Sequence, residues 1–398
     1  MTAFWVDDNT DPYPGYARLR AEGGLIPHEM DDVPVTIATR YDECSAVLTG
    51  SEWGHGYSAG ISPFRDTVAA IPGSFVRMDP PEHGRLRGLV NKAFTPRTVA
   101  DMVPLAQNVV SSLMDEALSA GEIDVLNGLA VPLAVAMIPG RLLGAPVSDG
   151  HLFRRWQLAI ARGSDPDHLL NADAIEARGV AAQECLTYFH ALIQEKKARP
   201  TDDLLSELIA VEQAGDQLSE REVLGLCLLL LVAGMETSIN LIGNGMLALL
   251  RNPDQLDLLR ARPDLMASAI DEMLRYDAPT QFTIRVALSD TTVGTHEFKR
   301  GDGVVVLTAS ASRDELVYEN ADSLDITRYE GNRPARRHMG FSLGLHYCVG
   351  APLARLEAET AFRALLDRAP SLSLATPEVE YQPSLIHRGI LALPVKLG

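Results

Sequence analysis

The stretch Val223 to Leu250 is apolar along its whole length but for one charge, Glu236. A run that long has few homes. As a membrane span it would carry a carboxylate near its middle, at a cost of roughly 2.5–3.5 kcal/mol. Gly234, Asn240, Gly243 and Asn244 dilute it further. A central helix buried inside a soluble protein is the better fit. Such a helix needs a large body around it, and 398 residues with 46% hydrophobic and 22% charged content supply one.

The rest of the chain reads the same way. Amphipathic or buried helices are expected at Asp11–Glu22, Tyr41–Leu48, Glu82–Ala93, Arg97–Leu118, Pro132–Leu143, Asp149–Ala161, Ala172–Lys197, Asp202–Gln213, Ser219–Leu250, Asn252–Leu259 and Pro263–Tyr276. The period changes over Thr283–Thr308, where Ile284–Ala287 and Val304–Leu307 read as short strands around glycine turns, and Val35–Ala38 reads as another. Two long irregular stretches, Gly50–Pro72 and Arg313–Phe341, have the character of binding loops. The expectation is one domain, 1–398, mainly α with a minor β region. A net charge of −18 repels phosphate backbones and anionic lipid heads, which argues against nucleic-acid or membrane partners. The first residues show neither the basic nor the apolar region of a secretory signal, so a cytoplasmic protein is expected.

Four cysteines, Cys44, Cys185, Cys227 and Cys348, lie far apart with no C-x-x-C pair. The first three sit in helix-like surroundings and read as small buried hydrophobes. Cys348 differs. Gly344 and Gly350 bracket it, permitting positive φ and close backbone approach, and Pro352 opens a helix immediately after. A thiol just ahead of a helix N-terminus is stabilised as thiolate. From Cys348 alone, a buried structural cysteine near a turn is still the favoured reading. A Cys/His nucleophile with His346 is the other, though no orienting acid stands near.

The full run Phe341-Ser342-Leu343-Gly344-Leu345-His346-Tyr347-Cys348-Val349-Gly350 decides between them. It resembles the haem-binding loop of the cytochrome P450 superfamily, F-x-x-G-x-H-x-C-x-G, departing at Ser342, where a second glycine is common. The resemblance extends over nearly the whole chain. Glu272 and Arg275 resemble the family's E-x-x-R helix, a buried pair that braces the cysteine loop. Its third partner is usually an arginine where this chain has Ser323, with Arg328 as a substitute. Ala233-Gly234-Met235-Glu236-Thr237 is similar to the oxygen-binding motif of the central helix; a local kink would open a groove with Glu236 and Thr237 beside it.

The resemblance implies the cytochrome P450 fold and a haem-thiolate monooxygenase (EC 1.14 type) that carries haem b (iron protoporphyrin IX). Cys348 would be the axial ligand, framed by Phe341 and Gly350. His83, Arg87, Arg285 and His346 would hold the propionates, for which arginine is well suited. Glu236 and Thr237 would deliver protons. The substrate pocket would draw on the Gly50–Val76 loop, Leu229, Val232, Ala233, Gln281, Phe282, Ser384, Leu385 and Ile386. That lining suits a mid-sized organic molecule. The expected reaction is hydroxylation or epoxidation in secondary-metabolite biosynthesis, with terpenoid or xenobiotic breakdown as the alternative.

Since the resemblance leaves no length for a flavin or nicotinamide module, electrons would come from a ferredoxin with its reductase. Two basic windows mark where it would dock. His83–Arg97 carries Arg85, Arg87, Lys92 and Arg97 without an acid, and Arg328–Glu357 carries Arg328, Arg333, Arg336, Arg337 and Arg355 against Glu330 and Glu357. A peroxide-driven or rearrangement-type haem-thiolate enzyme needs no donor. A haem sensor or carrier leaves Glu236 and Thr237 unexplained, and a non-haem interaction protein leaves every motif to coincidence.

Overall fold

Helices in the computed structural model run in chain order as α1 Tyr13–Glu22, α2 Tyr41–Thr49, α3 Glu82–Asn91, α4 Pro96–Ala100, α5 Val103–Ala120, α6 Val131–Val135, α7 Gly150–Arg162, α8 Ala172–Ala198, α9 Leu204–Gln213, α10 Glu220–Arg251, α11 Pro253–Ala261, α12 Met266–Tyr276, α13 Thr308–Ala311 and α14 Ala351–Arg368. The strands are β1 Leu25–Met30, β2 Val33–Ala38, β3 Trp53–Gly54, β4 Glu122–Asp124, β5 Thr283–Ala287, β6 Thr291–Val293, β7 His296–Phe298, β8 Gly303–Val306, β9 Leu372–Leu374 and β10 Pro394–Leu397. The structure describes residues 10–30, 32–64, 71–165, 170–214, 218–331 and 335–398. Part of the Gly50–Val76 loop, 65–70, and Arg333 lie outside the described residues.

The chain divides into two compact units. The first gathers Met1–Arg65, Gly243–Cys348 and Pro377–Leu391. Its sheet has the order β1-β2-β8-β5-β3, with only the β2–β8 pair parallel. Central strand β8 is buried on both faces, which explains the unbroken valines Val304–Val306. Alternate residues feed opposite clusters: Val304 and Val306 pack with Ala38, Tyr41 and Phe298, while Val305 packs with Ile37, Tyr16 and Phe282. Edge strand β1 was not expected from the sequence. Pro27 interrupts its pattern, and an edge position is where a strand tolerates proline.

The second unit gathers Asp66–Ile242, Val349–Thr376 and Ala392–Gly398. It contains α5 against α14 and a small sheet of order β4-β10-β9. The single helix expected over Arg97–Leu118 is two. Thr95 caps α4 by accepting from the Thr98 amide at 3.2 Å, and Pro104 stands in the first turn of α5, where its missing N–H costs nothing but cannot continue the ladder of α4. Around α6, Val125–Ala130 and Ala136–Leu142 form wide turns, the second around Pro139, which cannot donate to the helical ladder. Asp124 caps this run through the Leu126 amide at 3.0 Å.

Helix α10 is one element of 32 residues, contributing to both units. It and Val125–Leu142 are long and apolar enough to cross a membrane, yet 72% and 67% of their most apolar windows are buried within the protein, the pattern of core helices.

Candidate functional site

In the first unit the cysteine loop is a chain of tight turns. Gly344 sits at φ +66°, and a β-carbon there would lie 2.2 Å from the Leu48 carbonyl oxygen, so no other residue fits without displacing α2. The loop closes on itself: the Cys348 amide donates to the Phe341 carbonyl at 2.9 Å, and that of Tyr347 to Gly344 at 3.0 Å. Cys348 is half-buried and Phe341 buried. His346 meets the ring of His55 edge-on at 4.9 Å. Two expectations need correction. Gly350 does not use positive φ; it stands at −81° as the residue preceding α14. Ser342 does, at +61°, and its hydroxyl is buried without a hydrogen bond.

Beneath the loop lies the brace. Glu272 and Arg275 of α12 are fully buried, joined by bonds of 2.7 and 2.8 Å. Arg328 adds a third member, its Nε 3.0 Å from the same carboxylate. Ser323, in the position where an arginine is usual, contributes its backbone carbonyl to Arg275 at 3.0 Å. The pair reaches the loop through one residue: Arg275 donates to the Ser312 carbonyl at 3.0 Å, and Ser312 Oγ accepts from the Met339 amide at 3.1 Å. A desolvated ion pair this well bonded fixes geometry more than it adds stability.

In the second unit, α10 presents a stripe of small and apolar residues. Ala233 is exposed and Leu229, Val232 and Thr237 half-buried on a helix otherwise largely enclosed. Thr237 Oγ1 donates back to the Ala233 carbonyl at 2.9 Å, but the helix continues unbroken through Gly234. The expected opening is not Gly234's role. A β-carbon there would come 3.2 Å from Ile138, so the glycine serves close packing against the wide turn.

Glu236 is corrected more sharply. Neighbours on a helix point about 100° apart, and while Thr237 is accessible the Glu236 carboxylate is fully buried. Asn240 donates to it at 2.9 Å, Gln157 of α7 donates to its other oxygen, and Arg154 stands 3.6 Å away. Asn240 was legible as an i+4 partner. Nothing in the sequence marks Gln157, 79 residues distant, or Arg154 beside it.

The remaining basic and pocket candidates fall within their own units. His83 is buried on α3 beside Phe75, and Arg87 is half-buried one turn on. Arg285 is buried in β5, donating to the Ile284 carbonyl at 2.8 Å. Phe282, Leu385 and Ile386 share one apolar cluster, and Ser384 is buried. Gln281 points inward instead: Tyr16 donates to its amide oxygen at 2.9 Å, and its nitrogen donates to Ala278 at 2.7 Å. Of the basic windows, Arg85 is ion-paired to Glu82 and Glu222, Arg336 to Asp42, and Arg328 belongs to the brace, while Lys92 and Arg97 are exposed.

Among the described residues no three His, Cys, Asp or Glu side chains come together as a metal site. A lone thiol in a rigid loop suits an iron that brings its own equatorial ligands, and buried cations suit that group's carboxylates, so this donor set fits a haem.

A family model described as Cytochrome P450 matches residues 171–396. The chain is 38% identical to cytochrome P450 monooxygenase PikC of Streptomyces venezuelae, covering 100% of this chain and 93% of that one. The chain belongs to the cytochrome P450 family. It is 34% identical to the 6-deoxyerythronolide B hydroxylase of Saccharopolyspora erythraea, over 98% of this chain and 96% of the relative. The solved structure of PksS, the cytochrome P450 of the bacillaene polyketide synthase of Bacillus subtilis, superposes with a TM-score of 0.86 at 33% identity, covering 98% and 97% of the two chains. The mainly helical architecture with its minor β region is thus the P450 fold. The protein is a soluble haem-thiolate monooxygenase, an oxidoreductase that uses O2, an organic substrate and electrons from a redox partner.

Proposed function

We propose that this P450 hydroxylates or epoxidises a mid-sized molecule in natural-product biosynthesis, acting as one catalytic domain in the cytoplasm. The observation that carries the reading is the half-buried Cys348 in a loop held by Gly344 and braced by Glu272, Arg275 and Arg328. Relatives named for polyketide biosynthesis and for 6-deoxyerythronolide B hydroxylation support the substrate class.

In this reading Cys348 ligates the iron of haem b, and Phe341 and Gly350 frame the thiolate. His83, Arg87, Arg285 and His346 bind the propionates. The haem supplies oxygen activation, the chemistry no side chain can perform. The chain's own residues orient the substrate and manage protons. Leu229, Val232 and Ala233 offer an apolar face to the substrate, with Phe282, Ser384, Leu385 and Ile386 as further contacts. Gln281 shapes the wall without contacting the substrate, because its amide is occupied by Tyr16 and Ala278 and its backbone by Ile386, Thr308 and Ala309. Thr237 holds a proton at Oγ1 on the accessible face of α10. Glu236, buried behind it, resupplies that proton through a side-chain rotation or an intervening water, with Gln157, Asn240 and Arg154 holding its carboxylate until it moves. A ferredoxin, itself reduced by a ferredoxin reductase, delivers the electrons.

The test is the carbon-monoxide difference spectrum of the reduced protein. Wild type should give the strongly red-shifted Soret band of thiolate ligation, and Cys348→Ala should lose it together with turnover. An unchanged spectrum in Cys348→Ala would overturn the assignment.

A further inference from the structure

A groove of about 880 Å3 opens in the second unit, lined by residues of α5, α6, the following wide turn and α7. That volume falls within the usual range for small-molecule sites. Its walls are apolar, Val109 and Val135 among them, and among the described residues the only charged or titratable side chains lining it are Arg141, His151 and Arg154. Each arginine already stands beside an acid outside the lining, Arg141 beside Asp202 and Arg154 beside Glu236, so it is the spare donors of Arg154 that face the groove. Val147 at its edge is 60% exposed, apolar surface with nothing of its own to cover it. Gly140 keeps the wall thin: a β-carbon there would lie 3.0 Å from Val147 Cγ1 and 3.2 Å from the Val135 carbonyl.

Arg154 has five N–H donors and makes one hydrogen bond, to Gln157 Oε1 at 2.7 Å, while standing 3.6 Å from Glu236. Arg141 is held by Asp202, a side chain 97% exposed. Surface pairs of that kind are weak and readily exchanged.

We propose that this groove binds an amphipathic monoanion, an aliphatic or aromatic carboxylate. Its apolar body covers Val109, Val135 and Val147, and its carboxylate is held by Arg154 and His151. Occupancy shares the Arg154 charge between ligand and Glu236, which couples the groove to the buried carboxylate. That coupling rests on the proton role given to Glu236; the binding site does not.

The probe is decanoate, titrated calorimetrically into the haem-loaded enzyme beside decanol, with the Soret band recorded in parallel. Expected is saturable decanoate binding without a spin-state shift, about tenfold tighter than decanol, as a charge-assisted hydrogen bond warrants. Val109→Trp, which fills the groove, and Val147→Asp, which repels the anion from an exposed edge, should each weaken binding at least tenfold, with circular dichroism checking that both fold. Absence of saturable binding, equal affinity for decanol, or binding that shifts the Soret band and ignores both substitutions would overturn the proposal. None of these results would touch the thiolate spectrum on which the enzymatic reading stands.

Discussion

Glu357 sits in the middle of α14 with both carboxyl oxygens buried and no well-formed hydrogen bond. Burial pushes its pKa up to about 7, with the Ser238 hydroxyl offsetting part of the effect. An unfolded glutamate titrates near ~4.3. Below that pH the residue is protonated in both states and costs the fold nothing. The cost grows as pH rises from the unfolded value towards the folded one, and it is complete above. Glu357→Gln should therefore leave stability nearly unchanged at pH 4 and raise it by on the order of 2 kcal/mol at pH 8. Urea unfolding at the two values measures this, and an equal effect at both would mean that the carboxylate is charged and paired. Thr237 supplies the second prediction at this scale. Thr237→Ala removes the accessible hydroxyl and a single methyl group, so substrate-induced spectral shifts should persist while reducing equivalents divert to hydrogen peroxide. Wild-type product yield per electron would refute the proton role. Thr237, Glu272 and Arg275 are legible through the resemblance of their helix motifs to the family's, which also offers Arg328 as the third partner of the brace. Gln157 and Arg154 are not, since only tertiary folding brings them to the Glu236 carboxylate.

Among elements, the cysteine loop is the most constrained and its two non-equivalent positions make opposite predictions. Gly344→Ala places a β-carbon against the Leu48 carbonyl at a positive φ. It should cost at least ~2 kcal/mol and lower the haem-to-protein absorbance ratio. Ser342→Gly relieves a positive φ and removes a buried, unbonded hydroxyl, so it should stabilise by roughly 1 kcal/mol in thermal unfolding. If Ser342→Gly is destabilising, the serine makes a bond in solution that offsets its strain. Long helices such as α8 and α10 are readable within a residue or two, because their apolar period is sustained. Strand β8 is readable from its valine run and β5 from its β-branched Thr283, Ile284 and Val286, with glycine turns between them. By contrast β4, β9 and β10 are three or four residues each, paired between Glu122–Asp124 and the far end of the chain, and no local pattern announces them. Pro104 splits what periodicity joins, since one proline outweighs the apolar spacing around it.

For the whole molecule the open question is how electrons arrive at a protein whose net charge of −18 would repel an acidic donor. Counting basic residues along the sequence overstates the attraction. Arg85 is neutralised by Glu82 and Glu222, Arg336 by Asp42, and Arg328 is buried in the brace. What survives in the His83–Arg97 window as exposed charge is Lys92, at the end of α3, and Arg97, in α4. Burying either partner of a surface pair would change little, but exposed cations act at a distance, raising the encounter rate with an anionic partner and orienting it. Reduction by a ferredoxin should therefore slow steeply as ionic strength rises, because the Debye length falls from about 30 Å at 0.01 M to about 10 Å at 0.1 M. Lys92→Glu or Arg97→Glu should raise the apparent KM for ferredoxin several-fold and leave substrate affinity unchanged. Arg85→Glu distinguishes steering from folding: it breaks a local ion-pair set and should lower stability as well. Salt-insensitive reduction, with no effect of either reversal, would place the donor on another face or on apolar contacts.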